Sequence, residues 1–284
     1  MLTHMGLRLD FLPIQSDWDE PVVPAPQVDA LPTEVPAEVP AMAGLVPMRA
    51  GRDTAATRAA AVARPDIARA VRPDIARADW GQLQEAVRAC QACPLCASRH
   101  QTVFGMGAEP PQSSDTEGVG LMIVGEAPGE HEDLQGLPFV GAAGQLLDQM
   151  LSALGGSRHE DGGRLGRVYL ANVLKCRPPG NRNPQAEEVA QCLPFLRRQI
   201  ELLRPRLLLA MGRFGAQALL AEQMPDVAQT PLGQLRGRSY SYEGIPLVVT
   251  YHPAYLLRNP AEKGKVWADL CLAQSLQAGP KMGA

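Results

Sequence analysis

The chain is predicted to be an α/β protein built on an open, mainly parallel sheet. Short apolar runs end abruptly at a glycine or a polar residue, as strands buried on both faces do when they reach the edge of such a sheet. Residues able to bear chemistry follow those runs directly, in the crevice beyond the carboxyl ends of the strands where open α/β sheets bind ligands. Helical runs are read over 186–203, from Phe214 to about Glu222, and around Val266.

The first strand is Leu121-Met-Ile-Val-Gly125, and the Gly/Pro-rich loop after it carries Glu126, Glu130, Glu132 and Asp133. A phosphate cradle needs backbone amides and a lysine, so this acidic loop is poorly suited to one. Its continuation, Leu137-Pro-Phe-Val140, brings the aromatic Phe139, and negative charge beside an apolar aromatic stretch suits a neutral planar ring. The second strand, Val168-Tyr-Leu-Ala-Asn172, ends in an amide and is followed by Cys176. The Asn172 carboxamide can donate and accept in one plane, as reading the edge of a uracil-type ring requires. An asparagine bonding its own backbone at a strand end has the same appearance in sequence.

Arg206-Leu-Leu-Leu-Ala-Met-Gly212 is the third strand and reads as scaffold. The fourth, Ile245-Pro-Leu-Val-Val-Thr-Tyr251, runs into His252-Pro-Ala-Tyr-Leu-Leu-Arg258. A histidine set at a strand end by a following proline reads as an electrophile. Leu256, Leu257 and Arg258 beside it read as a wedge of the kind that holds a base out of a nucleic-acid stack. A core histidine with both leucines packed inward remains the alternative. Between the second and third strands, Arg177, Arg182, Arg197 and Arg198 are candidates for a phosphate-facing rim. The formal charge of −3 does not exclude this, because the N-terminal region holds much of the acid.

The 284 residues divide by composition. Residues 1–79 read as a disordered Pro/Ala-rich tail, 80–276 as one folded domain, and 277–284 as a flexible C-terminus. Within the tail the octet Ala-Arg-Pro-Asp-Ile-Ala-Arg-Ala at 63–70 recurs with valine in first place at 71–78, too few copies for a solenoid. The opening residues lack a secretory signal, and no apolar run approaches a membrane span, so a cytoplasmic protein is expected.

In a reducing compartment six cysteines point to metal rather than to disulfides. Cys90 and Cys93 form a Cys-x2-Cys pair, while Cys176 and Cys192 are separated by fifteen residues. A zinc ribbon uses two close pairs, so this spacing matches a four-thiolate [4Fe–4S] site better. Zinc and unligated thiols remain the alternatives. Cys96 and Cys271 are the spares, Cys271 in a helical run where a cysteine usually serves as a small core residue.

Taken together, Cys90-x2-Cys93-Pro-Leu, Gly125-Glu-Ala-Pro-Gly-Glu-His-Glu-Asp133, Pro138-Phe-Val-Gly-x2-Gly144, Asn172-x3-Cys176-Arg-Pro-Pro, Cys192 and His252-Pro-Ala resemble the family-4 uracil-DNA glycosylases. These form the iron–sulfur branch of the uracil-DNA glycosylase superfamily, and the resemblance covers about Trp80 to Leu276. It implies a three-layer α/β/α sandwich around a four-stranded, mainly parallel sheet, with a [4Fe–4S] cluster on Cys90, Cys93, Cys176 and Cys192. It also implies that uracil is flipped out of single- or double-stranded DNA and its N-glycosidic bond hydrolysed, which initiates base excision repair. Phe139 would stack on the base and Asn172 would bond its edge. His252 would stabilise charge developing on the uracil O2. In the superfamily's best-known branch an aspartate follows the position of Glu126. Ala127 stands there in the pocket wall and cannot act as a base, which leaves Glu132 and then Glu126 as the expected water-activating groups. Leu256, Leu257, Arg258 and Arg177 would touch DNA. The cluster is expected to be structural and the protein monomeric. Two other classes compete with this reading, a relative that traps uracil-DNA covalently through a histidine on an Arg-rich loop and a non-catalytic binding module. The stretch after Cys176 has no histidine before His252, which argues against the first.

Overall fold

A computed structural model describes residues 74–111, 117–159 and 163–277. The readings of a disordered tail up to residue 73, of the first octet copy, and of residues 278–284 lie outside these. A 3-10 turn at Ile75–Arg77 is followed by α1 (Trp80–Arg88), β1 (Met106–Gly107), β2 (Leu121–Gly125), α2 (Glu130–Gln135) and α3 (Ala142–Ala153). Then come β3 (Val168–Asn172), α4 (Ala186–Leu203), β4 (Leu208–Met211), α5 (Arg213–Leu220) and α6 (Leu232–Leu235). The remaining elements are β5 (Ser239–Tyr242), β6 (Ile245–Thr250), α7 (Pro253–Arg258) and α8 (Lys263–Gln277). No helix among the described residues is long and apolar enough to cross a membrane.

The sheet runs β1-β3-β2-β4-β6-β5. Its centre, β3-β2-β4-β6, is parallel and consists of the four strands expected from sequence. Two antiparallel edge strands, β1 on β3 and β5 on β6, enlarge the expected four-stranded sheet to a mixed sheet of six. β1 is only two residues long, and its Gly107 has φ 127°. β5 reads Ser-Tyr-Ser-Tyr and turns into β6 through Glu243 and Gly244, both at positive φ. That geometry belongs to a two-residue hairpin, but Glu-Gly is a weaker signal for it than Asn-Gly.

Alternation along the buried strands sends side chains to opposite faces and makes two cores. Met122, Val124, Ala171, Leu208, Ala210, Leu247 and Val249 pack under α4 and α5 through Leu196, Ile200, Leu203, Ala216 and Leu219. Leu121, Ile123, Val168, Leu170, Leu209, Met211 and Val248 pack under α3, α7 and α8 through Leu147, Leu151, Leu256, Val266 and Leu270. The three-layer sandwich is thus present.

α1 starts from a reciprocal cap, Asp79 Oδ1 accepting from Gln82 N at 2.8 Å and Gln82 Oε1 from Asp79 N at 3.0 Å. It adds a small third core in which Leu83 and Val87 meet Phe195 of α4. Ile75 and Ala78, from the second octet copy, are buried in that core, so packing begins before Trp80.

α8 is tied to the sheet by Asp269, which is 0% exposed. Its carboxylate accepts from Arg236 Nε and Nη2 at 3.0 and 2.9 Å, from Gly237 N at 3.0 Å and from Thr250 Oγ1 at 2.8 Å. Cys271, two residues on, turns outward and is exposed, which corrects its reading as a core residue. α8 presents Val266, Asp269, Leu270 and Ala273 to the interior instead. Replacing Asp269 with alanine would strand the Arg236 charge and should cost about 3 kcal/mol. Chemical denaturation of the two proteins measures this, and an unchanged midpoint would show that the ion pair does not hold α8.

Candidate active site

The four parallel strands end on one edge of the sheet. Register places Gly125 opposite Asn172 and Met211 opposite Thr250, so the loops after β2, β3, β4 and β6 leave side by side. They enclose a cavity of about 660 Å³ whose wall includes Glu126, Ala127, Glu132, Phe139, Asn172, His252 and Arg258, brought together from three separate segments. Asn181, Asn183, Arg213, Tyr251 and Tyr255 also line it. Sequence reading missed these five. Tyr251 and Tyr255 flank the histidine it singled out, and the asparagines belong to a loop read only for its arginines.

Asn172 is 3% exposed, and its side chain forms part of the cavity wall. A carboxamide in a cavity wall can donate and accept toward a ligand in one plane. Gly125 permits this arrangement. A Cβ there would lie 2.4 Å from Asn172 Oδ1 and 2.7 Å from Phe139 Cζ. Phe139 is buried, with φ 55°, and its ring lies nearly parallel to that of His252, with centroids 5.7 Å apart and planes at 24°.

His252 caps α7, its Nδ1 accepting from Ala254 N at 3.2 Å. An imidazole that accepts at Nδ1 carries its proton on Nε2 when neutral. Burial pushes its pKa down to about 4; the nearby Arg258 charge acts in the same direction and Glu132 opposes it. The ring is therefore a neutral donor at ordinary pH.

The two glutamates differ in kind. Glu132 Oε2 accepts from Gly129 N at 3.1 Å, and its Oε1 accepts from Val140 N at 2.9 Å and Gly141 N at 3.3 Å. Both oxygens brace the loop backbone. Glu126 has no such partner among the described residues, and burial raises its pKa. These contacts make Glu126 the freer carboxylate of the two. The loop's other acids serve structure. Asp133 binds His100 through Nδ1 at 2.7 Å and through the backbone, and Glu130 faces Arg177 at 3.6 Å.

The expected DNA contacts separate. Leu256 is 1% exposed in the core under α3, which removes it from a wedge, because a helix turn that points one leucine inward points its neighbour out. Leu257, 46% exposed, and Arg258 remain on the surface. Arg177 donates from Nε to Asn181 Oδ1 at 2.8 Å and so braces the loop at the cavity mouth. No shared rim of arginines forms. Arg182 pairs with Glu188, Arg197 with Glu222, and Arg198 with Glu201 and the Ala78 carbonyl.

Beside this cavity, Cys93, Cys176 and Cys192 pack with Leu95 and Leu174, and Ala127 touches both regions. Burial raises all three thiol pKa values, that of Cys176 to about 11 and that of Cys192 to about 12, and Cys90 and Cys93 each add to the rise at Cys176. Arg99 Nη1 donates to the Cys176 sulfur at 3.3 Å and to the Cys90 carbonyl at 2.8 Å. Lys175, fully buried, donates from Nζ to the Asn172 carbonyl at 2.8 Å and to Gln199 Oε1 at 2.6 Å. Among the described residues no three His, Cys, Asp or Glu side chains close around a single metal ion.

Residues 111–271 match the family model described as the uracil DNA glycosylase superfamily. The chain is similar to the type-4 uracil-DNA glycosylase of Pyrobaculum aerophilum, 44% identical over 198 residues, 68% of this chain and 92% of the relative. It is likewise similar to the type-4 enzymes of Thermotoga maritima, at 41% over 62% of this chain and 82% of the relative, and of Archaeoglobus fulgidus, at 40% over 64% and 85%.

The state of His252 is directly measurable. An NMR titration of its ring should give a midpoint near 4 in place of the ordinary 6.5. The unfolded chain takes up this proton as pH falls below 6.5 while the folded chain refuses it until about 4. The neutral ring therefore contributes stability that is complete above that window and is lost on acidification through it. A midpoint at 6.5 would mean that burial does not shift the ring, and one above neutral pH would mean that it is not a neutral donor.

Proposed function

The chain belongs to the uracil-DNA glycosylase superfamily and is a uracil-DNA glycosylase acting in DNA repair, and we propose a division of the work among its residues. The observation that carries this reading is the meeting of the Asn172 carboxamide, the Phe139 ring and a neutral imidazole in one cavity. Uracil extruded from DNA stacks on Phe139, and Asn172 donates and accepts along its edge. Cytosine presents the opposite donor and acceptor pattern at that edge. A flipped base meets the protein at Arg258 and the exposed Leu257, which take the phosphate and the vacated stack.

In the hydrolysis, the bond between uracil N1 and the sugar C1′ breaks and its electron pair goes to the base. His252 donates from Nε2 to the uracil O2, onto which the charge spreads. A neutral donor suits an anion of this kind, because the hydrogen bond strengthens as charge develops and no buried imidazolium needs stabilising beforehand. Water attacks C1′, and the Glu126 carboxylate orients it and takes its proton. Glu132 contributes by holding the loop between Gly129 and Gly141.

Cys90, Cys93, Cys176 and Cys192 fit a [4Fe–4S] cluster in number and in thiolate chemistry, and three of them, Cys93, Cys176 and Cys192, are buried away from water. In such a cluster each thiolate binds its own iron, so the four need not converge on one ion. When bound, the cluster would staple α1's following loop to the start of α4 and hold the segment after Asn172. Glycosidic hydrolysis moves no electrons, which supports a structural role. The Arg99 contact to Cys176 would offset part of the thiolate charge.

An end-labelled oligonucleotide with one uracil, treated with the protein and then hot alkali, tests the activity on a denaturing gel. Cleavage only at uracil and only after alkali is expected. A slow band that survives denaturation would support the covalent class instead, and an intact strand would support a binding module. In the same assay Glu126→Gln should lose about 100-fold in kcat with little change in KM, whereas Glu132→Gln should mainly lower the melting temperature. Since burial raises the Glu126 pKa, activity should fall on acidification, and this limb should vanish in E126Q. Equal kcat in E126Q and wild type would overturn that assignment. Cys176→Ala should release iron and melt earlier, and full iron with unchanged melting would sink its place in the ligand set.

A further inference from the structure

Phe139 holds φ 55°, in a left-handed region that bulky side chains avoid. Such a conformation persists only where the surroundings over-determine it. Here they act on one peptide group from both ends. The Phe139 carbonyl accepts from Arg158 Nη2 at 3.0 Å, and the Val140 N–H of the same peptide donates to Glu132 Oε1 at 2.9 Å. Arg158 also donates to the Pro138 carbonyl from Nη1 at 3.1 Å and to the Gly144 carbonyl from Nη2 at 3.2 Å. Two carbonyls of the loop and one from the first turn of α3 thus converge on one guanidinium.

Arg158 is only 7% exposed. Asp148 of α3 anchors its charge, each carboxylate oxygen lying 2.6 Å from a guanidinium nitrogen, Nε or Nη2. Gly144 makes the approach possible, since a Cβ there would stand 1.7 Å from the Phe139 oxygen. A glycine at position 139 would adopt this backbone without a clamp. The chain instead keeps an aromatic ring there and commits a buried guanidinium, paired with the half-exposed Asp148, to its backbone.

We propose that Arg158, anchored by Asp148, is a positioning residue for base recognition: with Glu132 it grips the Phe139–Val140 peptide and so sets the plane of the ring on which uracil stacks. This rests on the stacking role given to Phe139 above. Arg158 touches neither base nor sugar and acts through Phe139 alone.

A double-mutant cycle on the full-length, iron-loaded protein tests this, with free-uracil affinity by calorimetry, kcat and KM, and melting temperature as readouts. Phe139→Ala and Arg158→Gln should each weaken uracil binding and raise KM by about tenfold, because a ring displaced by an ångström loses its contact. In the F139A background, R158Q should cost nothing further. Asp148→Asn keeps the Arg158 hydrogen bonds to the three carbonyls and loosens their anchor, so it should show a smaller loss of the same kind, again absent without the ring; it carries the comparison should R158Q not fold. Losses that add in the double variant would overturn the proposal, as would wild-type uracil binding in both R158Q and D148N when F139A has lost it. Wild-type uracil binding in F139A would instead overturn the stacking role itself, and the proposal with it.

Discussion

The parallel register of β2 against β3 is the constraint on which the site depends. It sets Gly125 opposite Asn172, and the missing side chain at Gly125 leaves the volume into which Asn172 and Phe139 converge. A slip of one residue would turn Asn172 to the other face of the sheet and place a side chain in that volume. The apolar residues that fix the register, Ile123 and Leu170 on one face and Val124 and Ala171 on the other, lie in separate cores. Burial on both faces therefore specifies the position of a polar amide that belongs to neither.

The electrostatics of the cavity follow from the same burial. Desolvation acts in opposite directions on an acid and a base, raising the pKa of Glu126 and lowering that of His252. The result is a carboxylate that can take a proton beside an imidazole that stays neutral, a pairing suited to moving water one way and charge the other. Glu132 instead accepts from three backbone amides. It belongs with Arg158, and together they restrain the loop that carries the aromatic ring.

The thiol region and the cavity are joined by short physical links. Three residues along the chain separate Asn172 from Cys176, and Lys175 Nζ between them bonds the Asn172 carbonyl. On the other side Asp133 of α2 binds the backbone of His100 and Gln101, which follow Arg99 and its bond to the Cys176 sulfur. Loosening of the thiol region would thus reach both the amide and the acidic loop without any ligand crossing between them.

The central strands, the crevice at their carboxyl ends and the residues meeting there were legible because each rests on a local pattern, an apolar run closed by a glycine, an amide or a histidine. The edge strands were not, since a two-residue strand and a Glu-Gly hairpin carry little local signal. Leu256 and Leu257 show the limit clearly. Both are apolar neighbours, and only the docking of α7 against α3 decides that the first is core and the second surface. Glu126 and Glu132 are equally acidic in sequence, and which of them is free depends on amides that the chain brings back from eight and nine residues on. Arg158 drew no attention at all, because its partners are carbonyl oxygens and every residue has one. Sequence by itself determined which residues could do this chemistry. Tertiary structure decided which of them are spent on holding the fold and which are left facing the cavity, because a hydrogen-bond partner is a matter of position rather than of residue type.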